Sequence, residues 1–198
     1  GWSRNILELQ IKSNYHLRIG NTVNNFKEVL PEVESDLVNN TLKDPYIFDF
    51  ISLENNYKER DLEKRMIAKI KDVLLEFGSG FSFVGNQYKI TVGNMDYYLD
   101  LLFYHLKLKS YIVVELKITE FIPEYVGKMN FYLSVVDNIL KDKNDNPTIG
   151  LILCKDNNRI TARYSLEGVN KPIGITTYEL SKYLPSEDDI NNYLDMKW

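Results

Sequence analysis

Between Tyr57 and Phe77 the apolar residues Leu62, Met66, Ile70, Val73, Leu74 and Phe77 recur at three- and four-residue spacing, while Lys64, Arg65, Lys69 and Lys71 occupy much of the other side. That period predicts one long amphipathic helix, stopped by Gly78. The pattern then changes. Phe81–Val92, Tyr97–Leu106 and Tyr111–Ile118 are rich in aromatic and β-branched residues and are separated by Gly93-Asn94 and Lys107–Ser110. They read as an antiparallel meander of strands. Pro123–Lys141 returns to helical spacing, with Val126, Met129, Leu133, Val136 and Leu140 on one face and Pro123 in the first turn. "NPTIGLILC" is continuously apolar, as a strand covered on both faces must be. A short helix over Arg159–Leu166, the strand "KPIGITTYEL" and a tail with Pro185, Ser186 as N-cap and an acidic first turn complete the chain. The order helix, meander, helix, strand, helix, strand predicts an α/β fold, a mixed sheet with helices on its faces.

The first 43 residues read differently: polar and helical, with Ile6, Leu9 and Leu17 as the apolar positions. "NNFKEVLP" ends a segment at Pro31, "ESDLVNNTLKDP" reads as linkage, and Asp44-Pro45 marks a boundary. The stretch is too short for a core of its own. Residues 1–43 are therefore expected to be the C-terminal part of an N-terminal helical domain, with residues 44–198 forming the second domain. The opening "GWSRNILELQ", without an initiator Met, fits a fragment of a longer protein, and the helical stretch offers a surface for homodimerisation.

Composition narrows the function classes. With 44% hydrophobic and 26% charged residues the chain belongs with soluble globular proteins, and a net charge of −4 argues against coating nucleic acid over the whole surface. A local basic cleft stays open. The single cysteine, Cys154, excludes a disulfide framework or a cysteine-rich zinc site, predicts a buried thiol and points to the cytoplasm. No apolar run approaches the roughly 20 residues of a membrane span.

Candidate chemistry lies in "YLDLLFYHLKLKSYIVVELK", where Asp100, Glu115 and Lys117 interrupt apolar strands. Burying such charges costs several kcal/mol unless they are paired. Period two puts Glu115 and Lys117 on one side of their strand, with Leu116 opposite. A bulge or splay would bring Asp100 beside Glu115. Two converging carboxylates suit Mg²⁺, with Mn²⁺ as a substitute, and a neighbouring lysine can hold a water or offset charge on a phosphate. Glu63 lies on the border of the first helix's apolar face and can reach the sheet, whereas Glu59 and Glu76 are expected in water. Lys128 and Tyr132, four residues apart on the second helix, share a face with Glu124 and offer a basic contribution to the same cleft. His16 and His105 are too far apart for a histidine metal site; His105 reads as structural. There is no G-x-S-x-G, P-loop or G-x-G-x-x-G motif.

Leu99-Asp100 followed by Glu115-Leu116-Lys117 resembles the PD-(D/E)xK nuclease superfamily, whose core is α-β-β-β-α-β. "ERDLEKRMI", "LLEFGSGFSFVGNQYKI", "YYLDLLFYH", "VVELK", "FIPEYVGKMNFYL", "NPTIGLILCKD" and "NKPIG" are similar to the YhcG-like family of bacterial nucleases over roughly residues 44–180. The resemblance implies a restriction-endonuclease-like fold and a metal-dependent nuclease acting on nucleic acid, DNA first. It also implies that Glu63, Asp100 and Glu115 are metal ligands, that Lys117 is the catalytic lysine, and that Gln87 touches the site or the substrate. Where some relatives carry Q-x-x-x-Y, this chain has Lys128 and Tyr132, so a lysine replaces the glutamine. A non-catalytic nucleic-acid-binding or assembly module on the same fold is the alternative.

Overall fold

The computed structural model describes residues 4–53 and 56–181; the tail around Ser186 lies outside them. The N-terminal stretch holds short helices α1 (Arg4–Lys12), α2 (Tyr15–Arg18), α3 (Phe26–Val29) and α4 (Glu32–Asn39), and the strands β1 (Val23–Asn24) and β2 (Tyr46–Phe48). Then follow α5 (Glu59–Ala68), α6 (Ile70–Phe77), β3 (Phe81–Val92), β4 (Met95–His105), β5 (Ser110–Leu116), α7 (Glu124–Ile139), β6 (Ile149–Cys154), α8 (Arg159–Leu166) and β7 (Ile173–Leu180). The expected α-β-β-β-α-β core is present.

One sheet of seven strands runs β1-β7-β6-β5-β4-β3, with β2 also on β7. The meander pairs antiparallel, and β5, β6 and β7 pair parallel. Helices α7 and α8 supply the crossovers that parallel neighbours require. Alternation along β5 explains the two layers: Ile112, Val114 and Leu116 face a core with Leu62, Met66, Val73 and Phe77, while Val113 faces one built on Met129, Leu133 and Val136. Strand β6 is buried at all positions, as its continuous apolar run demands. Gly150 on β6 lets α7 sit close, because a Cβ there would come within 2.6 Å of Met129 Cγ.

Several expectations need correction. The helix read as one piece from Tyr57 to Phe77 breaks at Lys69 (φ −114°, ψ 27°), although its apolar stripe stays on one layer. The stretch read as linkage holds most of α4, with Val38 buried. Contacts cross the expected boundary at residue 43: Val23 pairs with Ile175, and Phe26, Val38 and Leu42 belong to the same core layer as α5 and α6. Leu17 is exposed. His105 is structural as expected, its Nδ1 accepting from Leu108 N at 3.1 Å. Cys154 is buried, and desolvation pushes its thiol up to about 12. No helix among the described residues is long and apolar enough to cross a membrane.

Glu76 reverses its expected place. It is buried, with Arg18 Nη1 at 2.5 Å from Oε1 and Lys43 Nζ at 3.4 Å from Oε2, and it also accepts from Ile47 N at 2.9 Å. Burial pulls Lys43 down to about 8 despite its partner. This cluster ties the N-terminal stretch to α6. Glu76→Ala leaves two buried cations without their carboxylate, and urea unfolding should show a loss of about 3–5 kcal/mol. A loss below about 1 kcal/mol would mean that the cluster is not what fastens the N-terminal stretch.

Candidate active site

The β4–β5 ladder runs from His105↔Ser110 to Leu101↔Val114. One step further sets Asp100 opposite Glu115, so no bulge between these strands is needed. Of the expected bulge or splay it is the splay that occurs here, and the bulge in the meander lies in β3–β4, between Phe83 and Gly85. At Asp100 the backbone ladder gives way to a side chain: Leu116 N donates to Asp100 Oδ2 at 2.9 Å. Strand β5 continues along β6, with Lys117 N donating to Leu153 O at 2.8 Å. The two strands therefore part just where the carboxylates sit.

Glu63 arrives from the other side of the cleft. Asp61 accepts from Lys58 N at 3.0 Å and fixes the first turn of α5, which carries Glu59, Arg60 and Glu63. The Glu63 carboxylate is buried and accepts from Asn86 Nδ2 at 2.9 Å and Gln87 Nε2 at 2.8 Å. Consecutive strand residues normally point to opposite faces. Gln87 has a left-handed φ of 42°, a strained value for a residue with a long side chain, and this is where the pair reaches one carboxylate. Gln87 Nε2 also lies 3.2 Å from Asp100 Oδ1, so one amide links two acids.

Glu115 is 1% exposed. Its Oε1 takes Lys128 Nζ at 2.7 Å and Lys117 Nζ at 3.5 Å, while Oε2 is buried with no hydrogen-bond partner. Burial raises its pKa to about 7; the Asp100 charge and the hydrogen bond that Glu115, once protonated, donates to Asp100 act the same way, against Lys128 and Lys117. Lys117 is buried as well, 3.5 Å from Glu59 Oε2 and 5.2 Å from the centre of the Tyr125 ring. Glu59, expected in water, thus reaches the site from its rim. Tyr132 is buried; its hydroxyl donates to Tyr98 O at 3.1 Å, and Lys128 Nζ sits 5.3 Å from its ring centre.

The structure thus brings all seven residues singled out in the sequence into one neighbourhood, but not as one cage. Asp100 and Glu115 adjoin, whereas Glu63 is joined to Asp100 through Gln87. Among the described residues no three His, Cys, Asp or Glu side chains stand together as a preformed metal cluster. The donor set still fits a hard cation: Glu115 Oε2 lacks a donor, its neighbour is another carboxylate, and Mg²⁺ needs only one or two carboxylates plus waters. Asp100 and Glu115 are the residues that would hold it, while both Glu63 oxygens are taken by the Asn86 and Gln87 amides.

A cleft of about 450 Å³ opens beside these acids, lined by Glu59, Arg60, Glu63, Gln87, Tyr98 and Asp100. The domain described as "YhcG PDDEXK nuclease domain" matches residues 39–194. The chain belongs to that family. It is 31% identical over 192 residues to "Putative nuclease YhcG" of Escherichia coli (strain K12), an alignment covering 94% of this chain and 50% of the relative; the chain thus spans half the length of that relative. Two solved structures are similar at lower level. "Crystal structure of a repair endonuclease from Pyrococcus abyssi" has a TM-score of 0.41 and 12% identity, covering 65% of this chain and 49% of the other. "Structure of EndoMS in apo form" has a TM-score of 0.40 and 13% identity, covering 66% and 49%.

Sequence reasoning missed Asn86, Arg60 and Tyr98 and misplaced Glu59. Two signals were available: the polar pair Asn86-Gln87 breaks strand alternation after Gly85, and Glu59 lies one helical turn before Glu63.

The raised pKa of Glu115 makes stability depend on pH in metal-free buffer. Between its unfolded value of about 4.3 and its folded value of about 7, the folded chain holds more proton than the unfolded one. Stability from this group is full below the lower value and lost as pH rises through the upper. Urea unfolding of wild type and Glu115→Gln from acid to pH ~8 should show the wild type losing on the order of 3 kcal/mol relative to the variant across that window. Parallel curves would contradict the assignment.

Proposed function

We propose that the chain carries a Mg²⁺-dependent nuclease site that hydrolyses phosphodiester bonds in DNA, with Mn²⁺ able to substitute. The observation that carries this reading is the facing pair Asp100 and Glu115 beside buried Lys117, with one Glu115 oxygen buried without a donor and Asp100 lining the cleft. When bound there, the ion would acidify an attacking water and offset charge on the scissile phosphate.

The chain's own residues divide the remaining work. Lys117, fixed between Glu115, Glu59 and the Tyr125 ring, has its ammonium where it can orient a water or neutralise a phosphate oxygen. Lys128 balances Glu115 in the absence of substrate; it is half exposed and free to swing from Glu115 toward a phosphate. Gln87 keeps Glu63 and Asp100 in register by donating to both. Tyr132 holds the Tyr98 backbone and carries Lys128 over its ring.

Cleavage of labelled linear, branched and single-stranded DNA, with RNA alongside, tests this reading. Wild type should cut DNA with Mg²⁺ or Mn²⁺ and not with chelator, and Glu115→Ala and Lys117→Ala should each lose at least about 10²-fold in rate. Binding without cutting under every metal condition would favour the binding-module alternative. Cutting that survives both substitutions would move the site elsewhere.

A further inference from the structure

Tyr98 stands out among the cleft residues because only its carbonyl, and not its side chain, is tied to the site. It is 47% exposed, lines the cleft with Asp100, and has no ring partner among the described residues. Yet it is not a loose surface residue. Its carbonyl is held by Tyr132, its neighbour Leu99 is fully buried, and Tyr97 packs on Phe131 with ring centres 4.8 Å apart. An aromatic face is therefore held in the open two residues from a carboxylate of the candidate centre, about 7 Å along the strand.

Arg60 stands on the facing wall, one helical turn before Glu63. It is exposed and has no ion pair among the described residues, although Glu59, Glu63 and Asp100 line the same cleft. A guanidinium left unpaired beside three acids is available for a phosphate, which it can bind with paired N–H donors. Lys89, the cross-strand partner of Tyr98, is committed to Asp96 at 2.8 Å, and Thr91 donates to the same residue.

We propose that Tyr98 and Arg60 form a subsite for one unpaired nucleotide beside the scissile phosphate, Tyr98 stacking on its base and Arg60 binding its phosphate, so that single-stranded DNA is the preferred substrate. This inference rests on the nuclease reading above. Both side chains line the same open cleft of about 450 Å³, which has room for a nucleotide. Stacking on an aromatic ring tolerates any base, so the subsite selects for strandedness and not for sequence.

The test uses the full chain as wild type, Tyr98→Ala, Tyr98→Phe and, as an exposed tyrosine outside the cleft, Tyr164→Ala. The probe is a single strand of about 12 nucleotides carrying one 2-aminopurine, with its duplex as comparison. Binding is read in chelator by anisotropy and by quenching, and cleavage is read with Mg²⁺. Tyr98→Ala should weaken single-strand binding about tenfold and lose the quenching, while Tyr98→Phe and Tyr164→Ala keep both and duplex binding is unchanged. Equal loss on duplex, or unaltered quenching in Tyr98→Ala, overturns the subsite while leaving any Mg²⁺-dependent cleavage to stand. Tyr98-dependent binding without cleavage by wild type keeps the subsite and removes the nuclease reading. An equal response with single-stranded RNA overturns the restriction to DNA.

Discussion

Two carboxylates facing each other across neighbouring strands, one of them almost wholly out of water, form the constraint around which the site is organised. Asp100 and Glu115 repel, and burial penalises the charge on Glu115 further, so the ionised pair needs cations close by. Lys128 and Lys117 supply positive charge to one oxygen of Glu115, and Leu116 N and Gln87 donate to Asp100. Even so, one oxygen of Glu115 is left without a donor. A buried carboxylate oxygen in that condition is costly to stability, and the metal ion of the proposed function would relieve it.

The fold produces this arrangement by ending a ladder early. Strands β4 and β5 pair regularly as far as Leu101 and Val114, and then Asp100 takes the next amide with its side chain. Strand β5 is held past that point by β6, while the β3–β4 hairpin continues alone over α7. The gap that opens is reached from both layers, by Glu63 on α5 and by Lys128 and Tyr132 on α7. Helix α5 packs in the same core layer as α6, which the cluster of Arg18, Lys43 and Glu76 anchors to the N-terminal stretch.

Much of this was legible in the sequence because it is local. The switch from helical to strand period at Phe81, the turn at Gly93-Asn94 and the continuous apolar run before Cys154 each follow from neighbouring residues. The charged positions Asp100, Glu115 and Lys117 were conspicuous because their surroundings were apolar. What escaped depends on partners far away in the chain. Glu76 looks like a solvated helix residue until Arg18, 58 positions earlier, folds onto it. Strands β1 and β2, two and three residues long, carry no period of their own and exist only because β7 offers them an edge. The break at Lys69 has neither Pro nor Gly to announce it, and the left-handed Gln87 is a choice that only the site's geometry explains.

Calorimetric titration of Mn²⁺ into the chain, wild type against Asp100→Asn and Glu115→Gln, tests the central claim most directly. Saturable binding in the wild type that is lost in both variants, with each variant folded by circular dichroism, is the result this account predicts. Binding that persists in both, or no binding by a folded wild type, would contradict the assignment of these facing carboxylates to a metal ion.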